Sequence, residues 1–237
     1  MPFMSVPRPI RVVGALVLPF MFAACKDKQK ELAAPVAVPA SCVAIEARSA
    51  PTSKSKSPSA TPAPSPERFC VAFETSKGNF TIDVTRSLAP IGVDRFYEMV
   101  QSGFFADVRF FRVVPGFVAQ FGMHGDPKIN GEWMNSSLRD DPVKESNKRG
   151  TIVYASMMRP DTRSSQFFVN FGDNVSLDSQ GFAPFGHVVE GMEVVDKINA
   201  EYGESPDQSR IEAEGNAYLV KAFPKLDYIK SAKVITK

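Results

Sequence analysis

The chain has 237 residues, 43% of them hydrophobic, which is enough for one sizeable core with length left over for a tail. Of its 19 phenylalanines, 16 follow residue 66, so we place the core in the C-terminal part of the chain. Residues 67–237 carry 20 basic and 23 acidic side chains, a balance that excludes the basic surface of a nucleic-acid-binding domain. We therefore expect no nucleic-acid partner.

The first residues have the pattern of an export signal. Arg8 and Arg11 precede an apolar run over residues 12–22 that is too short to span a bilayer, and Ala23-Ala24-Cys25 follows. This ending resembles a bacterial lipobox, which implies a signal peptide over residues 1–24 and lipidation of Cys25. Lys26 follows the cysteine, and by the same resemblance this favours the outer membrane. Plain secretion and an uncleaved anchor are the alternatives.

We interpret residues 25–66 as a flexible linker and residues 67–237 as one globular domain. Seven prolines lie between Pro35 and Pro66, interleaved with Ser, Thr, Ala and Lys. Such a segment cannot bury enough apolar surface to offset its ordering entropy. Cys42 in the linker and Cys70 in the domain either form a disulfide or remain two thiols, and an oxidising compartment favours the disulfide.

Beyond residue 66 the sequence predicts many short strands and few helices. Leu-Ala-Pro at 88–90 opens a predicted helix that ends at about Ser102, before Gly103. Two more helices are expected near 192–202 and 210–222. Alternating runs bounded by turn residues predict strands at 69–75, 79–85, 109–114, 117–121, 150–156, 166–171, 185–189 and 228–236. This pattern fits an antiparallel barrel.

Two of these segments place polar side chains among aromatic ones. Residues 110–120 read Phe-Phe-Arg-Val-Val-Pro-Gly-Phe-Val-Ala-Gln, and residues 164–168 read Ser-Ser-Gln-Phe-Phe. An arginine that alternates into an aromatic surface is costly to desolvate unless a polar group pairs with it. Arg112 is therefore a candidate for binding a polar group on an otherwise apolar ligand.

This pair of segments closely resembles the cyclophilin-type peptidyl-prolyl isomerases. The resemblance covers roughly residues 68–237 and implies a mainly β fold, a closed eight-stranded antiparallel barrel capped by helices. It implies a cofactor-free enzyme, expected to be a monomer, that binds proline-containing segments of folding proteins and uses Arg112 as its catalytic residue. The substrate-binding residues that it implies are Phe117, Gln120, Met157, Met158, Gln166, Phe168, Leu177 and Phe182.

The sequence departs from the family pattern at two places. Ser176 stands where animal members usually have a tryptophan that helps to grip cyclosporin. Residues 157–161, Met-Met-Arg-Pro-Asp, replace the usual Asn-Ala-Gly-Pro-Asn, and the bulkier Met158 and Arg159 are expected to narrow the entrance beside the proline pocket. Residues 205–226 exceed what a minimal member needs and look like a subfamily insertion.

The leading hypothesis is an exported prolyl isomerase that assists the folding of envelope proteins, lipid-anchored to a bacterial membrane and facing the periplasm. A noncatalytic peptide-binding or chaperone module on the same fold is the alternative, because residues 157–159 differ from the family. A lipocalin-like lipoprotein is a third hypothesis, against which the motif at 110–120 argues. His124 and His187 lack metal-ligand spacing, so we expect no metal site.

Overall fold

The structure is a computed structural model that describes residues 57–235. Cys25, Cys42, the predicted signal peptide and most of the predicted linker lie outside the described residues, so the predictions about them stay predictions. Among the helices of the described part, none has the length and apolar character needed to cross a membrane.

The described residues form one antiparallel sheet of nine strands: β1 Arg68–Thr75, β2 Gly78–Thr85, β3 Val108–Arg109, β4 Arg112–Val114, β5 Val118–Phe121, β6 Thr151–Tyr154, β7 Phe167–Asn170, β8 Pro184–Glu190 and β9 Tyr228–Ile235. In the sheet these strands lie in the order β3-β9-β1-β2-β8-β6-β7-β5-β4. A tight turn joins the neighbouring strands β1 and β2.

The mainly β prediction is confirmed, but the prediction of a closed barrel of eight strands is wrong. The sheet is an open half-barrel of nine strands, with β3 and β4 as its two ends. The segment predicted as one strand over 109–114 changes partner at Phe110 and Phe111, since β3 pairs with β9 while β4 pairs with β5. The backbone N–H of Phe110 donates to the Asp227 carbonyl at 3.0 Å. One predicted strand therefore becomes the two ends of the sheet.

The concave side of the sheet holds the main core, which is built largely from phenylalanines. Phe73 and Phe80 face each other across β1 and β2 and stack with ring centroids 4.8 Å apart. Phe96, from the helix that covers this side, lies 5.4 Å from Phe167 and 5.2 Å from Phe185. Rings at these separations gain specific contact energy beyond the burial of their area. The aromatic residues that the sequence concentrates after residue 66 therefore fill this core.

Five α-helices occur in the described residues: α1 Pro90–Ser102, α2 Pro127–Met134, α3 Met192–Val195, α4 Gln208–Glu214 and α5 Asn216–Ala222. Helix α1 confirms the helix that the sequence predicts from the Leu-Ala-Pro segment at 88–90 to about Ser102. The helix expected over 192–202 is one turn long, and the one expected over 210–222 is split in two. The sequence analysis missed α2, although Asp126 caps its first turn and Pro127 opens it.

Gly215 causes the split between α4 and α5. It adopts φ 57°, a left-handed conformation that favours glycine, and a Cβ there would lie 2.1 Å from the Gly125 carbonyl oxygen. The next residue, Asn216, donates its backbone N–H to that same oxygen at 2.9 Å. This close approach fixes the start of α5 against the loop that precedes α2.

The last residues of the predicted linker, 57–66, lie against α1 and α2 without regular secondary structure. The Ser57 hydroxyl donates to Glu132 at 2.6 Å. The backbone N–H groups of Ser59 and Ser65 donate to Glu98 and Asp94, each at 2.8 Å. The packed part of the chain therefore includes residues on the linker side of the predicted boundary at 67.

Cys70 is buried in β1, with 1% of its surface exposed, and it is disulfide-bonded. Cys42, its predicted partner, lies outside the described residues. The pairing of these two cysteines stays a prediction.

A buried carboxylate connects α1 to the loop that leads towards β6. Asp141 accepts hydrogen bonds from the backbone N–H groups of Ile91 at 3.1 Å and Gly92 at 2.8 Å, at the start of α1. It also forms a 3.0 Å ion pair with Arg163, and both side chains are at most 4% exposed. Removing Asp141 would leave the buried Arg163 with only the exposed carboxylate of Asp140, 3.2 Å from its Nε, and loss of a buried partner is strongly destabilising.

We predict that Asp141→Ala lowers the free energy of unfolding by about 3–5 kcal/mol, because Arg163 loses its buried partner. Glu74→Ala, which removes an exposed pair with Lys230, is the control and is expected to cost no more than about 1 kcal/mol. Urea denaturation followed by the fluorescence of the buried Trp133 measures both. Equal losses in the two variants would contradict the prediction.

Candidate functional site

The side chains of the site form a row across three neighbouring strands. Arg112 on β4 lies opposite Gln120 on β5, and Gln120 lies opposite Phe168 on β7. Directly opposed residues of antiparallel strands project on the same face of a sheet. The adjacent pair, Phe121 and Phe167, projects on the other face and belongs to the main core. The register therefore brings residues that are far apart in the sequence side by side on the outer face.

Polar and aromatic neighbours hold the guanidinium of Arg112. Its Nη1 donates to Gln120 Oε1 at 3.3 Å, and its Cζ lies 5.6 Å from the ring centroid of Phe117. Its Nε donates to Glu204 Oε1 at 2.6 Å, and its Nη2 lies 2.5 Å from the same oxygen. The sequence analysis expected Arg112 to bind a polar group on a ligand and did not identify Glu204 as its partner.

The hydrogen bonds continue from Gln120 along the row. Gln120 Nε2 donates to Gln166 Oε1 at 2.8 Å, and Gln166 Nε2 donates to Gln208 Oε1 at 3.5 Å. These contacts leave the side-chain amides with defined orientations, since each carbonyl accepts and each NH₂ donates. Arg112 is thus linked through two glutamines to a residue of α4.

A cavity of about 470 Å³ opens along this row. Its apolar wall belongs to an aromatic and aliphatic cluster separate from the main core, formed by Val118, Val153, Phe168, Leu177 and Phe182, with Phe117 and Ala155 packed against it. All of these residues except Val153 line the cavity. The rings of Phe168 and Phe182 meet edge to face, with centroids 5.7 Å apart. The cavity therefore combines an apolar surface with a guanidinium at its edge.

Leu177 reaches the cavity from a short 3₁₀ helix, Val175–Gln180. The side chain of Asp178 ties this helix to the loop before β6 by accepting from the Ser146 hydroxyl at 2.6 Å and the Asn147 backbone N–H at 2.8 Å. Burial alone would raise the pKa of Asp178, but these hydrogen bonds outweigh it and keep that pKa below its ordinary value. The carboxylate is therefore ionised when it holds the helix.

Two methionines form an exposed edge of the cavity. Met157 and Met158 are 63% and 64% exposed, and Met158 adopts φ 56°, which is costly for a residue with a Cβ. Met158 and Arg159 also line an adjoining cavity of about 340 Å³. These residues replace the small ones of the family pattern, so both cavities border the substituted segment.

All nine predicted site residues line the same cavity: Arg112, Phe117, Gln120, Met157, Met158, Gln166, Phe168, Leu177 and Phe182. Their roles stay predictions. The sequence analysis missed other lining residues, notably Met134 of α2 and Gln208 of α4. No pattern in the single sequence places α4 beside the glutamine row. The Asp126-Pro127 start of α2 was a usable signal for the helix that carries Met134.

Comparison with known proteins identifies the family. The family model of cyclophilin type peptidyl-prolyl cis-trans isomerase/CLD matches residues 70–216. The chain is 36% identical over 177 residues to peptidyl-prolyl cis-trans isomerase A of Dickeya dadantii, which covers 70% of this chain and 85% of that protein. It is 33% identical over 180 residues to peptidyl-prolyl cis-trans isomerase B of Escherichia coli, which covers 70% of this chain and 99% of that protein. The chain therefore belongs to the cyclophilin-type peptidyl-prolyl cis-trans isomerases and is an enzyme of that class.

The fold agrees with this assignment. The crystal structure of a cyclophilin type peptidyl-prolyl cis-trans isomerase from Cryptosporidium parvum superposes with a TM-score of 0.53 at 21% sequence identity. The match covers 72% of this chain and 99% of that one. The cyclophilin fold that the sequence predicted is thus confirmed, apart from the number of strands and the closure of the sheet.

The exposed Ser176 generates a prediction about inhibition. It lies in the 3₁₀ helix beside Leu177, and its carbonyl accepts from Gln180 Nε2 at 3.1 Å. We predict that cyclosporin inhibits the enzyme weakly and that Ser176→Trp strengthens inhibition by up to about tenfold, the value of one added aromatic contact. Inhibition constants for the two proteins measure this. Ser179→Trp, on the same helix, is the control and should change little. Tight inhibition of the unmodified enzyme would contradict the prediction.

Proposed function

We propose that the enzyme isomerises X–Pro bonds in the 470 Å³ cavity with Arg112 as the catalytic residue, and that its substrates are exported proteins of a bacterial cell envelope. The observation that carries the catalytic assignment is the position of one guanidinium in a cavity that has an apolar wall on one side and a row of glutamines beside the arginine. The envelope assignment depends on the export signal and on Cys25.

Catalysis of X–Pro isomerisation uses both a hydrogen-bond donor and an apolar surface. Rotation about a peptide bond faces a barrier of about 18–20 kcal/mol that amide resonance sets. In the twisted amide the proline nitrogen regains a lone pair and can accept a hydrogen bond. A fixed guanidinium can donate one, and it cannot lose its proton. A catalyst that binds the twisted amide better than either planar form lowers the barrier without breaking a covalent bond.

In the proposed complex the aromatic wall holds the proline ring while the preceding residue turns. Phe117, Phe168, Leu177 and Phe182 supply that wall, and Gln120 and Gln166 orient Arg112 and the substrate backbone. Met157 and Met158 contact the segment that precedes the proline. In each case the proposal is supported by the placement of these side chains around one cavity.

Proline-containing segments of folding proteins are the proposed partners, and we propose that the enzyme acts on them as a monomer. The Cryptosporidium parvum relative has also been crystallised in the presence of the dipeptide Ala-Pro. A dipeptide that ends in proline is the smallest molecule carrying the bond in question, which supports the same ligand class here.

We predict that Arg112→Ala lowers kcat/KM by about 10²–10³, because one preorganised donor to the reacting atoms is worth about 3–4 kcal/mol. A protease-coupled assay on a proline peptide measures this. Arg149→Ala, which removes an exposed arginine paired with Asp196, is the matched control and should leave kcat/KM within about twofold. Unchanged activity of a folded Arg112→Ala protein would contradict the assignment.

The envelope role follows from segments outside the described residues. The charged and apolar run before Ala23-Ala24-Cys25 has the features of a lipoprotein signal, and Lys26 favours the outer membrane. A lipid anchor on Cys25 and a proline-rich spacer would hold the domain near a membrane surface. At that position an isomerase meets proteins as they fold outside the cytoplasm.

We predict that Cys25→Ser moves the protein from the membrane fraction to the soluble periplasmic fraction, because the variant has no thiol to receive lipid. Fractionation after expression in a Gram-negative host, with intact mass of the purified chain, measures this. Cys42→Ser is the control and should stay with the membrane. The proposal fails if the unmodified protein carries no lipid or fractionates as Cys25→Ser does.

A further inference from the structure

The side chain of Glu204, from a segment outside the sheet, contacts the proposed catalytic arginine, Arg112. The segment between α3 and α4 passes the end of β4, where the backbone N–H of Val113 donates to the Gly203 carbonyl at 3.1 Å. Val113 follows Arg112 and Gly203 precedes Glu204, so this bond places the two charged side chains next to each other. Glu204 then contacts both Nε and Nη2 of the guanidinium.

The segment that carries Glu204 is itself anchored. Its helices α4 and α5 contribute to an apolar cluster separate from the main core, comprising Phe111, Met123, Ile211, Tyr218, Leu219 and Leu226. The Asn216 amide donates to the Asp107 backbone carbonyl at 2.9 Å, and Gly215 packs against Gly125. Residues 204–222, which we call the arm, are therefore fixed to the domain rather than loosely attached.

The arm touches the site at both ends of the polar row. Glu204 binds Arg112 at one end, and Gln208 receives the amide of Gln166 at the other. Arg112 is the one charged residue among those that line the cavity in the described part of the chain. The Glu204 side chain is 63% exposed, so the carboxylate that pairs with Arg112 reaches solvent beside the cavity-lining arginine.

We propose that Glu204 is a specificity-determining residue of the isomerase, which offsets the charge of Arg112 and so favours proline segments with basic neighbours over segments with acidic ones. This inference depends on the proposed function of the same cavity. Without Glu204 the site would present one uncompensated positive charge, which attracts acidic peptides and repels basic ones. With Glu204 that bias is removed, and the exposed oxygen of the pair adds an acceptor for a lysine or arginine of the substrate.

The size of the effect is that of an exposed charge pair. Each exposed charge pair contributes little free energy, so removing one charge changes a rate ratio by about fivefold at most. Dissolved salt screens the interaction and makes this change smaller. Replacing a substrate lysine by glutamate changes two units of charge, so a change of about three- to tenfold in selectivity is expected. A role in folding alone would lower all rates together and leave the ratio unchanged.

The test measures catalysed exchange rates of proline peptides by NMR exchange spectroscopy. The peptides are identical apart from Lys or Glu at the residue before the proline, or at the residue after it. Three enzymes are compared: the unmodified protein, Glu204→Gln and the control Glu201→Gln. Glu201 lies in the same loop as Glu204, and its substitution removes an exposed ion pair with Lys225. Glutamine keeps the length and an acceptor oxygen of residue 204 but removes the charge.

We expect the Lys-to-Glu rate ratio to fall about three- to tenfold in Glu204→Gln at one or both peptide positions, and to stay within about twofold in Glu201→Gln. Raising salt from about 0.02 M to about 0.5 M should shrink the difference between Glu204→Gln and the unmodified enzyme. Equal ratios in these two enzymes at both positions would overturn the inference while leaving the isomerase intact. An unmodified enzyme that accelerates no peptide would instead overturn the proposed function.

Discussion

The register of β4, β5 and β7 is the constraint on which the site depends. It sets Arg112, Gln120 and Phe168 in one row, so the guanidinium, its orienting amide and the aromatic wall lie within contact distance. A slip by one residue would turn every side chain of a strand to the opposite face. The slip would bury Arg112 in the phenylalanine core and expose Phe121 and Phe167. Stability and site geometry thus favour the same register.

The two faces of β7 contribute to different parts of the molecule, one to the main core and the other to the cavity. Phe167 packs in the main core against Phe121 and Tyr154, whereas Phe168 joins the apolar wall of the cavity. These adjacent residues have the same side chain but opposite functions. The core residue makes the sheet stable enough to hold the outward one in place, and the small outer cluster of Val118, Leu177 and Phe182 completes the wall.

Short-range patterns predicted most strands, because alternation and turn residues are local signals. Five of the nine predicted site residues fell around one cavity because the motifs at 110–120 and 164–168 place them on or beside β4, β5 and β7. The other four, Met157, Met158, Leu177 and Phe182, reach the same cavity from the loop after β6 and from the region of the 3₁₀ helix. The partner change at Phe110 and Phe111 could not be predicted, since pairing with β9 depends on residues about 120 positions later in the chain. For the same reason Glu204 was missed: only tertiary packing of the arm brings it to Arg112. The split at Gly215 had a local signal, a glycine inside a helical pattern, that the analysis did not use.

The arm has a consequence for how enzymes of this family are compared. Its helices pack in an apolar cluster that is separate from the main core and includes Phe111, the residue before Arg112. Under the role proposed for Glu204, the charge at the mouth of the cavity is set by the arm and not by the motif at 110–120. Two relatives with the same motif and different arms would then favour different proline segments, and a classification based on motif residues alone would treat them as equivalent.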